Sequence, residues 1–451
     1  MRCNIRPRSF QGSRVEVAHV SRVSSSTPST VGTNLFLKLA VLIVCAPSTT
    51  TVQAFPLGGP GTRVSQQVLG ASTVTDARIS SRSDPTGAPA ANLPKIPFSR
   101  WRNQQVKRAA DPVQLDQLLG SLAEAVKAVA GFTRVSGVPD YQDQIDGQQV
   151  YEEMGEGRRH NENARRLLEV ALCASGRLGV VAYPGKPPTV IDEGFGQFVA
   201  TVNPLVGAGG LDAAVPTGTV IGLFDDAGQA DGCLVDYSID DEKLQEEVCL
   251  LRTLQPSRNL VGAGYAIYGS SCELVIAVRG QGVHGFTLDP HVGEFILTKP
   301  YMEIPKRGHI YSVDESRRDS WPTELRAYID RLRAGKGESG QKYSYRLVGS
   351  AVADVHRTLT FGGIWGRPDT DEGNDPYGGD RTGGLTLLGE ASPLAFIIEQ
   401  AGGKAVDGHG LRVLDIHPQS IREKTGLFVG GEDDIRELER AVGTVGKRPP
   451  S

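Results

Sequence analysis

The chain reads as a mixed α/β protein, and three observations carry that reading. Several segments place apolar residues at three- and four-residue steps, short apolar runs bounded by glycine and proline lie between them, and no segment repeats another. With 451 residues, 39% of them hydrophobic, the chain is long enough for one large core or two medium ones. Six cysteines are too few for a disulfide-dense secreted module, and no uninterrupted apolar stretch of about 18 residues exists to span a bilayer.

The first elements read as an address. Against a formal net charge of −4 for the whole chain, residues 1–54 carry +5 and residues 55–110 carry +6, so the remainder carries −15. That acidic remainder argues against nucleic acid or an anionic membrane as a partner of the mature protein. Leu35 to Ala46 is an apolar run of signal-peptide length, and Val52-Gln53-Ala54 is a small-residue cleavage site, so cleavage is expected after Ala54. Residues 55–110 are basic, rich in Ser, Thr, Ala and Pro and nearly free of acid, the composition of a disordered transit peptide. A signal peptide stacked on a transit peptide, with Phe55 first after the cut, resembles the two-part presequence of algae with a secondary plastid of red-algal origin. Two other readings compete. A helix of the fold lacks a periodic apolar face here, and a secreted protein is the other reading.

The body begins at Pro112, where Leu115, Leu118, Leu119, Leu122, Val126 and Val129 mark an amphipathic helix. A second helix is expected from Asn163 to Leu172, then strands at Leu178–Ala182, Phe198–Val202, Val220–Phe224, Leu274–Val278 and Phe295–Leu297. Helices follow at Pro322–Arg333 and Val352–Thr360, a strand at Leu385–Leu388, and a helix at Pro393–Ala401. Three segments read as inserted surface loops: charged Tyr151–Asn161, acidic Asp225–Glu247, and Gly/Asp-rich Asp369–Gly384. Residues 443–451 form a tail.

Four stretches carry a family resemblance. They are Leu254-Gln255-Pro256-Ser257-Arg258-Asn259-Leu260-Val261-Gly262-Ala263-Gly264-Tyr265, then Leu288-Asp289-Pro290-His291-Val292-Gly293-Glu294-Phe295, then Gly308-His309-Ile310-Tyr311-Ser312, and Val348-Gly349-Ser350-Ala351-Val352-Ala353-Asp354-Val355-His356-Arg357-Thr358-Leu359 with Gly362-Gly363-Ile364. In content and order they resemble the class I fructose-1,6-bisphosphatases, across Leu115 to Leu438, and they separate the chain from the inositol monophosphatases. The resemblance implies a layered α/β/α/β/α sandwich of two subdomains, 111–300 and 301–442, assembled as a homotetramer. It also implies removal of the 1-phosphate of fructose 1,6-bisphosphate by water, with two or three Mg2+ ions activating the attack.

Family metal ligands are expected at three places. The family's Asp-Pro-Leu-Asp-Gly motif appears as Asn203-Pro204-Leu205-Val206-Gly207, its Glu pair as Tyr183-Pro184-Gly185, and its third Glu is kept as Glu390. Only Glu390 and the Leu205 carbonyl are left as candidate ligands, and the Leu-Asp pair that the resemblance implies for the general base has no counterpart between Met154 and Asn163. Two Mg2+ ions about 4 Å apart need several anionic oxygens, which makes Mg2+ binding and turnover doubtful on this donor set. In the sugar-phosphate pocket the resemblance places Arg346, an arginine that reaches a neighbouring subunit's phosphate pocket, with Asp314 for an Asn. Arg317, Leu347 and Arg367 stand for tyrosines and Gly384 for a Lys. Gln197-Phe198 replace the Lys-Tyr pair that meets AMP.

Cys233 and Cys249 flank most of the acidic insertion, where plastid members of the family carry a redox loop, so the resemblance implies a disulfide opened by thioredoxin; free thiols are the plain alternative. Cys173 and Cys272, in apolar contexts, read as packed core residues. The combined expectation is a plastid family member with an impaired or inactive metal site and a redox-regulated or subunit-modulating role. Two rivals stand beside it: a working sugar bisphosphatase, and a structural subunit co-assembling with an active paralogue.

Overall fold

The computed structural model describes residues 95–105, 112–137, 156–191, 196–225, 249–369 and 384–443. Its first sheet has eight strands: β1 (Leu178–Ala182), β2 (Thr189–Val190), β3 (Phe198–Val206), β4 (Thr217–Asp225), β5 (Leu260–Tyr268), β6 (Cys272–Val278), β7 (Gly282–Asp289) and β8 (Glu294–Lys299), in the order β2-β1-β3-β4-β5-β6-β7-β8. From β3 onward it is an antiparallel meander, while β1 and β3 run parallel, Ala182 opposite Thr201. A second sheet is ordered β10-β9-β11-β15-β13, from β9 (Ile310–Val313), β10 (Ser344–Tyr345), β11 (Ile364–Arg367), β13 (Lys404–Val406) and β15 (Leu427–Gly430). A short ribbon pairs β12 (Leu385–Thr386) with β14 (Lys424–Thr425).

Helices fill three layers around these sheets. Outside the first sheet lie α1 (Phe98–Gln105), α2 (Pro112–Val135) and α3 (Glu156–Cys173), whose Leu118, Leu122 and Leu168 share a core with Ile221, Leu274 and Phe286. Between the sheets lie α5 (Ala351–Phe361) and α6 (Ser392–Gln400), where Val352, Phe396 and Ile397 meet Phe224 and Val275 on one side and Trp365 and Val429 on the other. Outside the second sheet, α4 (Thr323–Ala334) and α7 (Glu432–Val442) bury Tyr328, Ile329, Ile435 and Leu438 against Phe428. The result is an α/β/α/β/α sandwich.

Several elements differ from the sequence expectation, each for a physical reason. Helix α3 starts at Glu156 rather than Asn163, so residues 156–161 are not an inserted surface loop. Its buried stripe is His160, Ala164, Leu168 and Leu172, and the polar member at its head hid the first turns from an apolar pattern. Val170, an apolar residue within the expected helix, is 66% exposed. Strand β3 continues four residues further, to Val206, through Asn203 and Pro204, residue types that read as a strand end. Of the expected strand Leu385–Leu388 only the first two residues are strand, and Leu387–Ala391 form a π-helical turn. Strands β5, β7, β9, β11 and β15 were not expected from apolar runs, because glycines interrupt or flank them. Glycine is required where a Cβ at Gly222 would come within 3.0 Å of Pro393 in α6.

Helix α1 lies inside the stretch expected to be a disordered transit peptide. Trp101 is 3% exposed, stacks on Phe98 and packs edge-on against Phe286, with ring centroids 5.5 and 4.9 Å away. The core therefore starts before Asp111. A chain shortened to begin at Asp111 is expected to melt several degrees below one beginning at Leu93. Trp101→Ala is expected to cost about 3–5 kcal/mol in denaturant unfolding, as large-to-small core changes of aromatic residues do. Equal stabilities would contradict the placement of α1.

Burial holds two histidines neutral, the buried His284 and the half-buried His356. His284 lies between the backbone N–H of Tyr301 (3.3 Å) and the Gln281 carbonyl (3.2 Å), and His356 between the Tyr265 hydroxyl (2.8 Å) and Lys299 Nζ (3.3 Å). Burial pushes both from 6.5 down to about 4, helped for His356 by the Lys299 charge. Both are neutral when folded and bind a proton more readily when unfolded, so the unfolded state takes up more protons as the pH falls. Their contribution is present above about pH 6.5 and is lost between there and about pH 4, at most about 3 kcal/mol each. The melting temperature is expected to fall across that window, with a shallower slope in His284→Phe; a flat profile would contradict it.

Candidate functional site

The site expected from the sequence lies where β1 and β3 end side by side. Strand β3 bulges between Asn203, opposite Val220, and Val206, opposite Gly218. Pro204 has no N–H for the ladder, and its carbonyl accepts a hydrogen bond from Thr219 Oγ1 at 2.7 Å, with the Tyr268 hydroxyl 2.8 Å from the same oxygen. The Leu205 side chain is buried. Gly207 then turns with φ +79° into a 3-10 segment, Ala208–Ala213. A Cβ on Gly207 would lie 3.6 Å from Ser350 Oγ, so the residue that begins α5 sits over this turn. Ser350 Oγ is buried and makes no hydrogen bond. On the other side, His160 Nε2 lies 3.0 Å from Asp212 Oδ1 and Gly157 packs on Gly209, which ties α3 to the same turn.

Glu390 sits in the π-helical turn before α6. Its Oε2 accepts hydrogen bonds from Thr386 N at 3.1 Å and Thr386 Oγ1 at 2.8 Å. The turn after β1 approaches the same place: a Cβ on Gly389 would lie 2.8 Å from Pro184 Cγ, so a proline ring rests on the backbone beside Glu390. Tyr183 points into the helical side of the sheet, with Arg165 5.5 Å from its ring centre, and burial raises its phenol above the ordinary range. Beside this turn Glu162 pairs with Lys186 and with Arg165, each at 2.6 Å. Burial alone would raise the Glu162 carboxyl, but the hydrogen bonds from Arg165 and Lys186 outweigh it and hold the carboxyl below its usual value.

The donor set facing an ion here is one carboxylate already engaged by Thr386, the neutral amide of Asn203, and backbone carbonyls. Among the described residues no three of His, Cys, Asp and Glu come together in a way that could hold a metal. Mg2+ takes six oxygens in near-octahedral geometry, and a close pair of ions needs several carboxylates to offset their repulsion. These residues do not fit such a pair.

A second group of residues meets at one edge of the second sheet. Strands β10, β9 and β11 are parallel neighbours, so Arg346 just after β10, Asp314 and Arg317 just after β9, and Arg367 at the end of β11 share the carboxyl edge. Asp314 caps the 3-10 segment Glu315–Ser320, accepting from Ser316 N at 3.1 Å and Ser316 Oγ at 2.6 Å, and Arg317 Nε lies 3.6 Å from its other oxygen. That acid therefore has a local role. Arg346 is exposed and its guanidinium donates to the Tyr345 carbonyl at 2.6 Å. The loop that carries it is held by buried Asp354, which accepts from Val348 N and Gly349 N at 3.0 Å and pairs with Arg357 at 2.7 Å. Burial nevertheless raises the Asp354 carboxyl above its ordinary value.

Gly384 has φ +90°, and a Cβ there would lie 2.6 Å from Asp369 Oδ1 and 2.9 Å from the Thr425 carbonyl. This backbone calls for glycine, so the residue is more than a lost lysine. Cys233 lies outside the described residues. Cys249 is 4% exposed and opens a helical turn over 249–253, its carbonyl accepting from Thr253 Oγ1 at 2.7 Å. Cys173 is half-buried; Cys272 is buried, which pushes its thiol up to about 12.

Sequence reasoning missed Ser350, Thr219, Thr386 and the His160–Asp212 pair. Thr386 had a local signal, since it precedes Glu390 by one helical turn; Ser350 and Gly207 are far apart in sequence and had none.

Comparison with known proteins follows the same outline. Residues 99–300 match the family model described as "Fructose-1-6-bisphosphatase, N-terminal domain", and residues 304–443 match "Fructose-1-6-bisphosphatase, C-terminal domain". The "Fructose-1,6-bisphosphatase 1, chloroplastic" of Arabidopsis thaliana is 36% identical over 346 residues, 75% of this chain and 79% of that protein. The "Fructose-1,6-bisphosphatase, chloroplastic" of Spinacia oleracea is 34% identical over 408 residues, 88% and 92% of the two chains. Among solved structures, the holo form of Leishmania major fructose-1,6-bisphosphatase superposes with a TM-score of 0.63 at 28% identity, covering 77% of this chain and 99% of that one.

Proposed function

The chain belongs to the fructose-1,6-bisphosphatase family, and from that premise we propose that it is a plastid member that binds a sugar phosphate but hydrolyses it weakly or not at all. The observation that carries the proposal is the donor set at the end of β3 and the turn after β1. Asn203, Val206 and Tyr183-Pro184-Gly185 supply no carboxylate, and Glu390 is engaged by Thr386. In this family divalent cations would activate the water and neutralise the leaving oxygen. Hydrolysis of a phosphate monoester needs accelerations of up to about 10²¹-fold, and no acid or base here replaces that chemistry.

Binding stands on what is kept. The Gly207 turn and the unpaired Ser350 hydroxyl offer donors to a ligand's oxygens, and Arg317, Arg346 and Arg367 bring positive charge to the carboxyl edge of the second sheet. Arg346, exposed on a rigid loop, is the residue proposed to reach a neighbouring subunit in a homo- or hetero-oligomer with an active paralogue. Plastid residence is supported by the chloroplastic relatives and by the two-part composition of residues 1–94. Processing is proposed to occur upstream of Ile96, a reading supported by the burial of Phe98 and Trp101 in α1.

Cys233 and Cys249 are proposed to form a disulfide that thioredoxin reduces, its effect being on assembly or a partner subunit. A loop of this length loses about 3 kcal/mol of unfolded-state entropy when closed.

The protein starting at Leu93 is expected to release no phosphate from fructose 1,6-bisphosphate above background with Mg2+ or Mn2+. The same sugar phosphate at millimolar concentration is expected to raise its melting temperature. Mg2+-dependent turnover lost in Glu390→Gln would overturn the proposal in favour of a working bisphosphatase. For the cysteines, mild oxidation is expected to protect Cys233 and Cys249 from alkylation, and a dithiol to restore it. If both stay freely alkylated after oxidation, they are ordinary thiols.

A further inference from the structure

Resting on the reading of a lost phosphatase, we infer that Glu390 has been converted from an ion ligand into an internal latch, and that the fold needs no divalent cation. The latch is the contact of Glu390 Oε2 with both donors of Thr386, at 3.1 and 2.8 Å. Oε2, one of the two carboxylate oxygens, is thereby engaged by donors of the chain itself. These bonds close the π-helical turn onto β12, and Leu387 N, donating to the Glu423 carbonyl at 2.8 Å, fixes the same turn beside β14. Pro184 supplies the second part. Its ring covers Gly389 on the side of the β1 turn, an apolar surface beside Glu390.

Charge at the neighbouring segment is balanced within the chain. Glu162, 15% exposed at its side chain, accepts from Lys186 and Arg165, and Arg165 also pairs with Glu169. Arg422 donates to the Gly185 carbonyl at 3.3 Å, so a second cation of the chain borders the same turn. In a metal site, carboxylates repel one another until ions arrive, which makes stability depend on the ion. Here, among the described residues, Glu162, Glu169 and Glu390 each have a donor from the protein itself, and that dependence is removed for them.

The test is a melting cycle on the protein starting at Leu93, in EDTA and with Mg2+ or Mn2+ alone. The wild type is expected to melt at the same temperature in both. Glu390→Ala and Thr386→Val should each lower it by several degrees in EDTA, the double variant no further than the worse single one, and Thr386→Ser should keep the wild-type value. A saturable rise with Mg2+ or Mn2+ that vanishes in Glu390→Ala would show an ion ligand and overturn the inference. Additive losses in the double variant would overturn it too. If Glu390→Ala does not fold, Thr386→Val decides: a latch loses stability in EDTA, whereas a ligand freed from Thr386 binds the ion more tightly and gains from it. Phosphate release by the wild type tests the functional reading separately, so the two can fail independently.

Discussion

The packing of the middle helices between two sheets constrains everything else in this molecule. Residues Ser392 to Ile398 of α6 are all buried, because a helix covered on both faces has no side left for water. Its approach needs bare backbone opposite, as at Gly222, and its one polar residue at the start, Ser392, is answered by Ser257 at 2.7 Å. Helix α5 has the same constraint, and a Cβ at Gly218 would lie 3.0 Å from Val352. Both helices point their N-terminal ends to the site: α5 begins at Ser350, and α6 follows the turn that holds Glu390. The positions of these groups are set by core packing, so the surrounding frame does not depend on which side chains stand at 203 and 206.

The elements legible in the sequence were those with a strong apolar period. Helix α2 was plain because its stripe is apolar from Leu115 to Val129, and every one of those expected residues is buried. The strands that escaped are rich in glycine, as β5 with Gly262 and Gly264, or short and flanked by it, as β11 and β15. Such strands are specified by what packs against them, and periodicity has no access to that. Helix α7 escaped for a related reason: its buried face includes Asp434 and Glu437. Asp434 accepts from Gly308 N and the Tyr343 hydroxyl, and Glu437 pairs with Arg307. Charged residues satisfied inside the fold look like solvent-facing ones when read along the chain.

The site divides along the same line. That neither Asn203 nor Val206 carries a carboxylate was legible because residue type alone decides whether an anionic oxygen exists. What the neighbours do was hidden. Asp314, read as an acid standing for an Asn, is a cap paired with Arg317; Gly384, read as standing for a Lys, occupies a backbone conformation that disfavours any side chain. Each substitution has a local cause in hydrogen bonding or φ, and that cause depends on residues brought near by the fold.

Loss of ion ligands is not free for a fold built around them, because leftover carboxylates would face one another without a counter-charge. Removing one member of a buried charge group leaves the others uncompensated, at several kcal/mol, whereas removing or pairing the whole group avoids that cost. The turn after β1 has the composition that this argument demands: a tyrosine under Arg165, a proline, a glycine, and Lys186 set against Glu162. The carboxylate kept at 390 is tied to Thr386 from within its own turn. Active sites are where proteins give up stability for chemistry, so on the proposed reading a frame that pairs its charges internally would be relieved of that cost. On the proposed reading, the replacements form one coupled change, in which a cation-dependent arrangement would give way to one held by the chain's own lysine, arginine and hydroxyl donors.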